Sequence, residues 1–345
     1  MDKKPTIAEN FSKQLDIDRI KRYVNRSEDV RYYQDICQRL RSFDLKTVPC
    51  PICSEVNKER RLVATVFDFE YIQCVQCDHV YIDRLPDWKI YSSIAAEVSI
   101  KMSRNLYENK EINEYRIQQI AMPKVDYILK ECSNLSKGTW LDIGCGTGEI
   151  LVGAKRRGWE TLGVDNNQSS REFAKKVHGI DIIRSDDLAA ISLKGIKIIS
   201  TFNTIEHVAD PYEFLKPFIE QTSNSVAVVI EAPQYHSLSS IAQTTFPLFV
   251  NRHLLPCSHF QLFTLRSLNF LLDRLNLEIF NSWWFGQDFH EMIQLFGEAE
   301  PLFRNSPLHS FLIQHLNDFQ SVVDHNKLSD SILTISRRKF SASQS

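Results

Sequence analysis

No apolar run in the 345-residue chain approaches the ~18 residues needed to cross a bilayer, and the opening MDKKPTIAEN has no apolar core of signal-peptide length. Neither secretion nor membrane spanning is indicated, and the cytoplasm is the expected location. Charge of one sign is also lacking: 41 Lys and Arg stand against 43 Asp and Glu, a formal net charge of -2. No global basic field recommends nucleic acid or an anionic membrane as partner, which favours small molecules or proteins as substrates. Repeats and low-complexity tracts are absent. Of eight cysteines, Cys37, Cys132, Cys145 and Cys257 are scattered and the other four form two CxxC pairs, which argues for reduced thiols and a metal and against a disulfide framework. With 43% hydrophobic residues the chain can bury one full α/β core and a smaller unit.

What is present centres on Leu141 to Ile150, LDIGCGTGEI. An apolar run meets Asp142 and then Gly144, Gly146 and Gly148 at alternate positions around Cys145, before a helical pattern starts at Glu149; the segment reads as strand, tight turn, helix. Glycines there allow positive φ and bring bare backbone, with the free N–H groups of a helix start, against a ligand of nucleotide size. Flavin and nicotinamide enzymes use a similar turn, so the next strand decides. Glu160 to Val164 ends in Asp165, beside Asn166, a carboxylate placed to accept two hydrogen bonds from a ribose diol. The dinucleotide fingerprint wants its third glycine one residue later than Gly148.

With Asp142 before the turn, the segment resembles the first motif of class I S-adenosylmethionine-dependent methyltransferases. That resemblance implies a loop that cradles the amino acid part of S-adenosylmethionine and an acid that holds its ribose. It implies an acidic residue at the end of the third strand against the adenine, here Asp186 or Asp187, although an Asp before Leu188 also suits a helix N-cap. Ile196 to Thr201 is the fourth strand and runs into Asn203-Thr204-Ile205-Glu206-His207-Val208-Ala209-Asp210-Pro211, similar to the family's LEHVxDP motif, with Asn203 at the methyl end of the site. Glu206 beside His207 could orient it, but adjacent residues at a strand end point apart, which discounts the pairing. Val226 to Glu231 is the fifth strand. Strands and helices alternating in this way predict a mostly parallel sheet with helices on both faces and ligands beyond the carboxyl ends of the strands. The fold class is α/β, and the resemblance implies a Rossmann-like sheet in the order 3-2-1-4-5-7-6, finished by strands over Leu277 to Phe285 and Ser331 to Ser336.

Cys50-Pro51-Ile52-Cys53 and Cys74-Val75-Gln76-Cys77 flank two alternating segments, the spacing of a four-cysteine zinc ribbon whose closed site makes Zn2+ structural. Asp78 stands where such knuckles often carry glycine and tolerates the left-handed conformation. The expected organisation is a helical arm over 1–48, a ribbon over 49–87, a helical connector or lid over 88–134, and a methyltransferase domain over 135–340 with insertions at about 235–264 and 287–328. The second insertion is expected to form a homodimer surface or a substrate wall. In the connector, Tyr107 or Tyr115 could face the substrate, although packing explains either.

Transfer of a sulfonium methyl is an in-line displacement, so the protein need supply no nucleophile, whereas an oxygen or carbon acceptor usually needs a base. His259 is the first candidate, His207 the second and His236 the third; a histidine satisfied by structural hydrogen bonds is the competing reading of each. His259 to Thr264 is similar to the HxxxF[ST] segment of zinc-ribbon and sugar C-methyltransferases, but Ser258 replaces the acidic residue common before that histidine. The expected activity is methyl transfer from S-adenosylmethionine to a small-molecule acceptor, a sugar or other biosynthetic intermediate. The alternatives are a methyltransferase whose ribbon recognises a protein or RNA, and a non-catalytic scaffold that keeps the cofactor pocket.

Overall fold

The structure is a computed structural model that describes residues 27–56, 61–185, 187, 192–245 and 252–339. Most of the expected arm, residues 1–26, lies outside the described residues, which begin with α1 (Ser27–Arg41) and a small β region: β1 (Lys46–Thr47), β2 (Arg61–Val66), β3 (Phe69–Gln73), β4 (Val80–Ile82) and β5 (Arg84–Leu85). The two CxxC knuckles turn at Ser54 and Asp78, both at φ 61, so the left-handed residue expected at Asp78 is where the chain bends. Three helical segments follow: α2 (Trp88–Leu106), α3 (Lys110–Arg116) and α4 (Met122–Glu131), the last two joined by a π-helical turn over Ile117–Ala121.

The remaining strands are β6 (Thr139–Ile143), β7 (Glu160–Val164), β8 (Ile182–Ile183), β9 (Ile196–Phe202), β10 (Ala227–Pro233), β11 (Gln261–Leu262), β12 (Leu277–Phe285) and β13 (Ser331–Arg338). Among them run α5 (Glu149–Arg156), α6 (Gln168–His178), α7 (Pro211–Glu220), α8 (Leu238–Thr245), α9 (Leu265–Arg274), α10 (Asp288–Ala299), α11 (Pro307–Gln314) and α12 (Leu316–His325). Seven strands form one sheet in the order β12-β13-β10-β9-β6-β7-β8. In their own chain order this is 3-2-1-4-5-7-6, with β13 antiparallel to both neighbours and strands β8 to β10 parallel, as the resemblance implied. Local chemistry sets the helix starts. Asp210 accepts from Tyr212 N and Glu213 N ahead of Pro211, Asn167 caps α6, and Thr264 forms a capping box with Ser267.

The sheet buries one face under α7 and α9 through residues such as Leu215, Phe218, Leu268 and Leu271, and the other under α4 through Val125, Ile128 and Trp140. The segment over 235–264, whose sequence is aperiodic, contains α8 and β11, and β11 pairs antiparallel with β4 to complete a four-stranded sheet β11-β4-β3-β2. Cys50, Ile52, Cys74 and Cys77 share a hydrophobic cluster with Leu268, Leu271 and Leu272 of α9, and Arg274 donates to the Ile52 carbonyl. The ribbon is thereby cemented to the large sheet. No helix among the described residues is long and apolar enough to cross a membrane.

Candidate active site

Gly144, Gly146 and Gly148 stand at φ 75, 54 and 79, conformations that a side chain resists. Gly144 N–H and Cys145 N–H donate to the Val164 carbonyl at 2.7 and 3.2 Å, which folds the loop back onto β7. A Cβ on Gly144 would lie 2.2 Å from Thr204 Oγ1, so the loop and the end of β9 approach as closely as bare backbone permits. Cys145 lines the cavity, and its sulfur occupies the space that Gly163 leaves open.

Asp165 lies at the lip of the same loop. Its Oδ2 accepts from Gly146 N–H and its Oδ1 from Asn167 N–H, both at 2.7 Å, leaving each oxygen a further lone pair for a ribose hydroxyl. Burial raises its pKa, while the two N–H donors pull the other way. Asn166 does not line the cavity: it is exposed, and its amide oxygen accepts from Ser185 N and Oγ. Asn167, the next residue, lines it instead. Asp186 lies outside the described residues, and Asp187 is exposed and away from the cavity lining.

Asp142 is 2% exposed and accepts from Ser200 Oγ at 2.7 Å across the β6–β9 pairing. Burial pushes its carboxyl up to about 7 against the pull of that hydrogen bond. The unfolded carboxyl ionises near the ordinary value of 3.8. The contribution of this group is therefore complete below that value and is lost as pH rises from there through about 7, on the order of 4 kcal/mol in all. Asp142→Asn keeps an acceptor for Ser200 and carries no charge. Urea unfolding should find it more stable than the parent at pH 8 by a large part of that amount, and little changed at pH 4.

The cavity, about 600 Å³, runs from the glycine loop to the end of β9. Over it lies α3: Arg116 pairs with Glu149 at 2.7 Å, and Asn113 donates to Thr147 Oγ1 at 3.0 Å. Tyr107 lines the cavity with the Arg116 guanidinium over its ring, whereas Tyr115 packs beside Ile120 and Leu316. Asn203 lines the cavity at φ 47, its amide donating to Glu231 Oε1 at 2.9 Å. Glu231 in turn meets Lys124 Nζ at 2.5 Å in a pair buried on both sides. Sequence reasoning missed Lys124 and Arg116, which line the cavity from separate elements, and Glu231 behind them. A lysine within an apolar helical stripe and a glutamate in an apolar strand were the available signals.

The far wall holds the histidines. Ile205–His207 form a 3-10 turn, so the alternation of a strand end does not apply; Glu206 Oε1 lies 3.9 Å from His207 Nε2, close but beyond hydrogen-bond reach. His259 Nε2 lies 4.0 Å from the same oxygen, and the two rings stand with centroids 4.8 Å apart. Glu206 is fully buried, and burial pushes its carboxyl up to about 8. His207 Nδ1 donates to the Ser258 carbonyl at 2.8 Å and His259 Nδ1 to the His253 carbonyl at 3.2 Å. Behind them Arg252 is buried against Asp330 and Glu291. His236 is elsewhere, bonded to Gln73 of β3 at 3.2 Å.

Cys50, Cys53, Cys74 and Cys77 bring four sulfurs within 4.8 Å of one another, with Cys50–Cys77 and Cys53–Cys74 at 3.5 Å and none in a disulfide. Four thiolates around an ion at ~2.3 Å stand about 3.8 Å apart, so this donor set suits tetrahedral Zn2+. His79, buried behind the knuckle, bonds Gln261 at 2.8 Å, and Gln261 donates to the carbonyls of Ile205 and Val208. The ribbon and the histidine-bearing turn are thus linked through one amide.

A doubly wound sheet with a bare backbone loop, a carboxylate at its lip and a ligand-sized cavity beyond the strand ends is an α/β architecture shaped for a nucleoside-sized ligand. Residues 112–282 match the family profile described as a methyltransferase domain. This stretch carries the glycine loop, Asp165 and the Glu206–His207 turn, and the sheet has the strand order implied by the resemblance to class I S-adenosylmethionine-dependent methyltransferases. Among curated proteins it is similar to the ubiquinone biosynthesis O-methyltransferase of Alkalilimnicola ehrlichii, 27% identical over 96 residues, which cover 26% of this chain and 38% of that relative. Among solved structures it is similar to magnesium protoporphyrin IX methyltransferase from Synechocystis PCC 6803 with bound S-adenosylhomocysteine (12% identity, 73% of this chain, 100% of that chain, TM-score 0.47). It is likewise similar to the plantazolicin methyltransferase BamL (16% identity, 73% of this chain, 99% of that chain, TM-score 0.43).

Proposed function

We propose that the protein transfers the S-adenosylmethionine methyl group to a small-molecule acceptor, a sugar or another biosynthetic intermediate, with zinc as a structural ion in the ribbon. One observation carries the reading: the glycine loop, Asp165 and the turn holding Glu206 and His207 open onto a single cavity together with His259. In this reading the bare backbone of the glycine loop and the oxygens of Asp165 hold the cofactor, Asp186 meets its adenine, and Asn203 lies near the methyl. Glu206, His207 and His259 receive the acceptor and dispose of its proton. Rate enhancement then comes from aligning nucleophile, carbon and sulfur in a closed site. An oxygen acceptor is favoured because the curated relative is named as an O-methyltransferase.

The test is to incubate the protein with methyl-labelled S-adenosylmethionine and cell extract separated into small-molecule, protein and RNA fractions. Label should enter the small-molecule fraction with stoichiometric S-adenosylhomocysteine. Label confined to protein or RNA overturns the acceptor class, and cofactor binding without any S-adenosylhomocysteine would mark a scaffold.

A further inference from the structure

Glu206, His207 and His259 converge on one point, and what occupies that point follows from their proton positions. Each imidazole has its Nδ1 against a backbone carbonyl, Ser258 for His207 and His253 for His259. A carbonyl can only accept, so the ring proton sits on Nδ1 and a neutral ring presents the Nε2 lone pair. Both Nε2 atoms face the same carboxylate oxygen, at 3.9 and 4.0 Å. These separations are too long for hydrogen bonds. Glu206 is 0% exposed, and neither of its carboxylate oxygens has a hydrogen-bond partner. Three electron-pair donors thus face one gap with the carboxylate at its buried end, an arrangement that a cation completes and that is costly to the carboxylate without one.

We propose that Glu206, His207 and His259 form a second metal site, distinct from the cysteine cluster, for a divalent first-row transition cation of the zinc class. Two imidazoles and one carboxylate are a borderline donor set suited to such ions, and the backbone carbonyls behind each ring supply the outer support that fixes the coordinating nitrogen. Tetrahedral edges at ~2.0–2.1 Å bonding are about 3.4 Å, so the present separations close onto an ion with side-chain shifts of well under 1 Å. All three residues line the cofactor cavity, so the remaining coordination position opens into it. The class of acceptor that fits is one bearing an oxygen, which the cation holds and acidifies. The hydroxyl proton passes to water, the oxygen takes the methyl carbon, and the electron pair of the broken C–S bond goes to sulfur. The two histidines then act as ligands and neither is a lone base. This inference deepens the proposed function and rests on it.

The full-length protein is to be saturated with Zn2+, freed of excess by gel filtration and assayed for zinc per chain, alongside Glu206→Gln and His259→Ala. Each variant should hold one equivalent less than the parent. Glu206→Gln keeps the side-chain volume, and Co2+ loading shows whether it has folded, since the cysteine cluster gives intense thiolate charge-transfer bands while the proposed site gives only weak visible bands that this variant loses. Equal zinc content in parent and variants, or weak Co2+ bands unchanged by Glu206→Gln, overturns the site. Calorimetry with S-adenosylmethionine on the same samples separates the two readings. Cofactor binding with no second zinc sinks the metal site alone, whereas absence of cofactor binding sinks the proposed function whatever the metal content.

Discussion

Asp165→Ala should abolish detectable S-adenosylmethionine binding, lowering affinity by at least about 100-fold in calorimetry. The carboxylate acts on two sides. It receives Gly146 N–H and Asn167 N–H at 2.7 Å each, which fixes the loop, and on the proposed function its remaining lone pairs take the ribose hydroxyls. Hydrogen bonds to a charged group contribute roughly 1.5–3 kcal/mol each, and two lost at the ribose correspond to about two to four orders of magnitude. Asp165→Asn should also bind poorly, because an NH2 group would face one of the two N–H donors. A melting curve on the same variants distinguishes a loosened loop from a missing ribose contact, as only the second leaves the unliganded protein near its parental melting temperature. Parental affinity in Asp165→Ala refutes the ribose assignment.

Stripping zinc, or substituting Cys74→Ser, should lower the melting temperature by more than about 10 °C and release one metal ion per cysteine cluster. Structural zinc in such sites contributes on the order of 10 kcal/mol to folding, and the metal-free module would leave buried thiols where bonds had been. The effect should reach beyond the knuckles. Gln261 bonds His79 on one side and the carbonyls of Ile205 and Val208 on the other, so hydrogen exchange should quicken over 205–208 as well as over 72–82. A variant that melts with the parent and exchanges at parental rates would show that the cysteines serve packing alone.

The parts of the fold legible in the sequence are those written in neighbouring residues. Leu141 to Ile150 announces its own turn because three glycines and the helix after them lie within one short stretch, and the cysteine pairs announce a ribbon by spacing alone. Asp78 and the Asp210-Pro211 helix start are equally local. What stayed hidden depends on residues far apart in sequence. The Lys124–Glu231 pair joins α4 to β10, and nothing within either segment marks its partner. The β4–β11 pairing is similarly silent, since the two residues of β11 are too short to show alternation. The place of Glu206 was hidden for another reason: the strand period stops in a stretch that coils as a 3-10 turn and carries the carboxylate inward, to 3.9 and 4.0 Å from the two rings.

The pairing of Val80–Ile82 with Gln261–Leu262 also bears on what the cysteine module can be used for. One edge of its sheet is spent pairing with the strand that directly follows His259, so it cannot swing on a tether like an independent reader of other molecules. Trimming the chain ahead of Trp88 to obtain a minimal unit would strip that partner away and leave the strand next to His259 as an open seam.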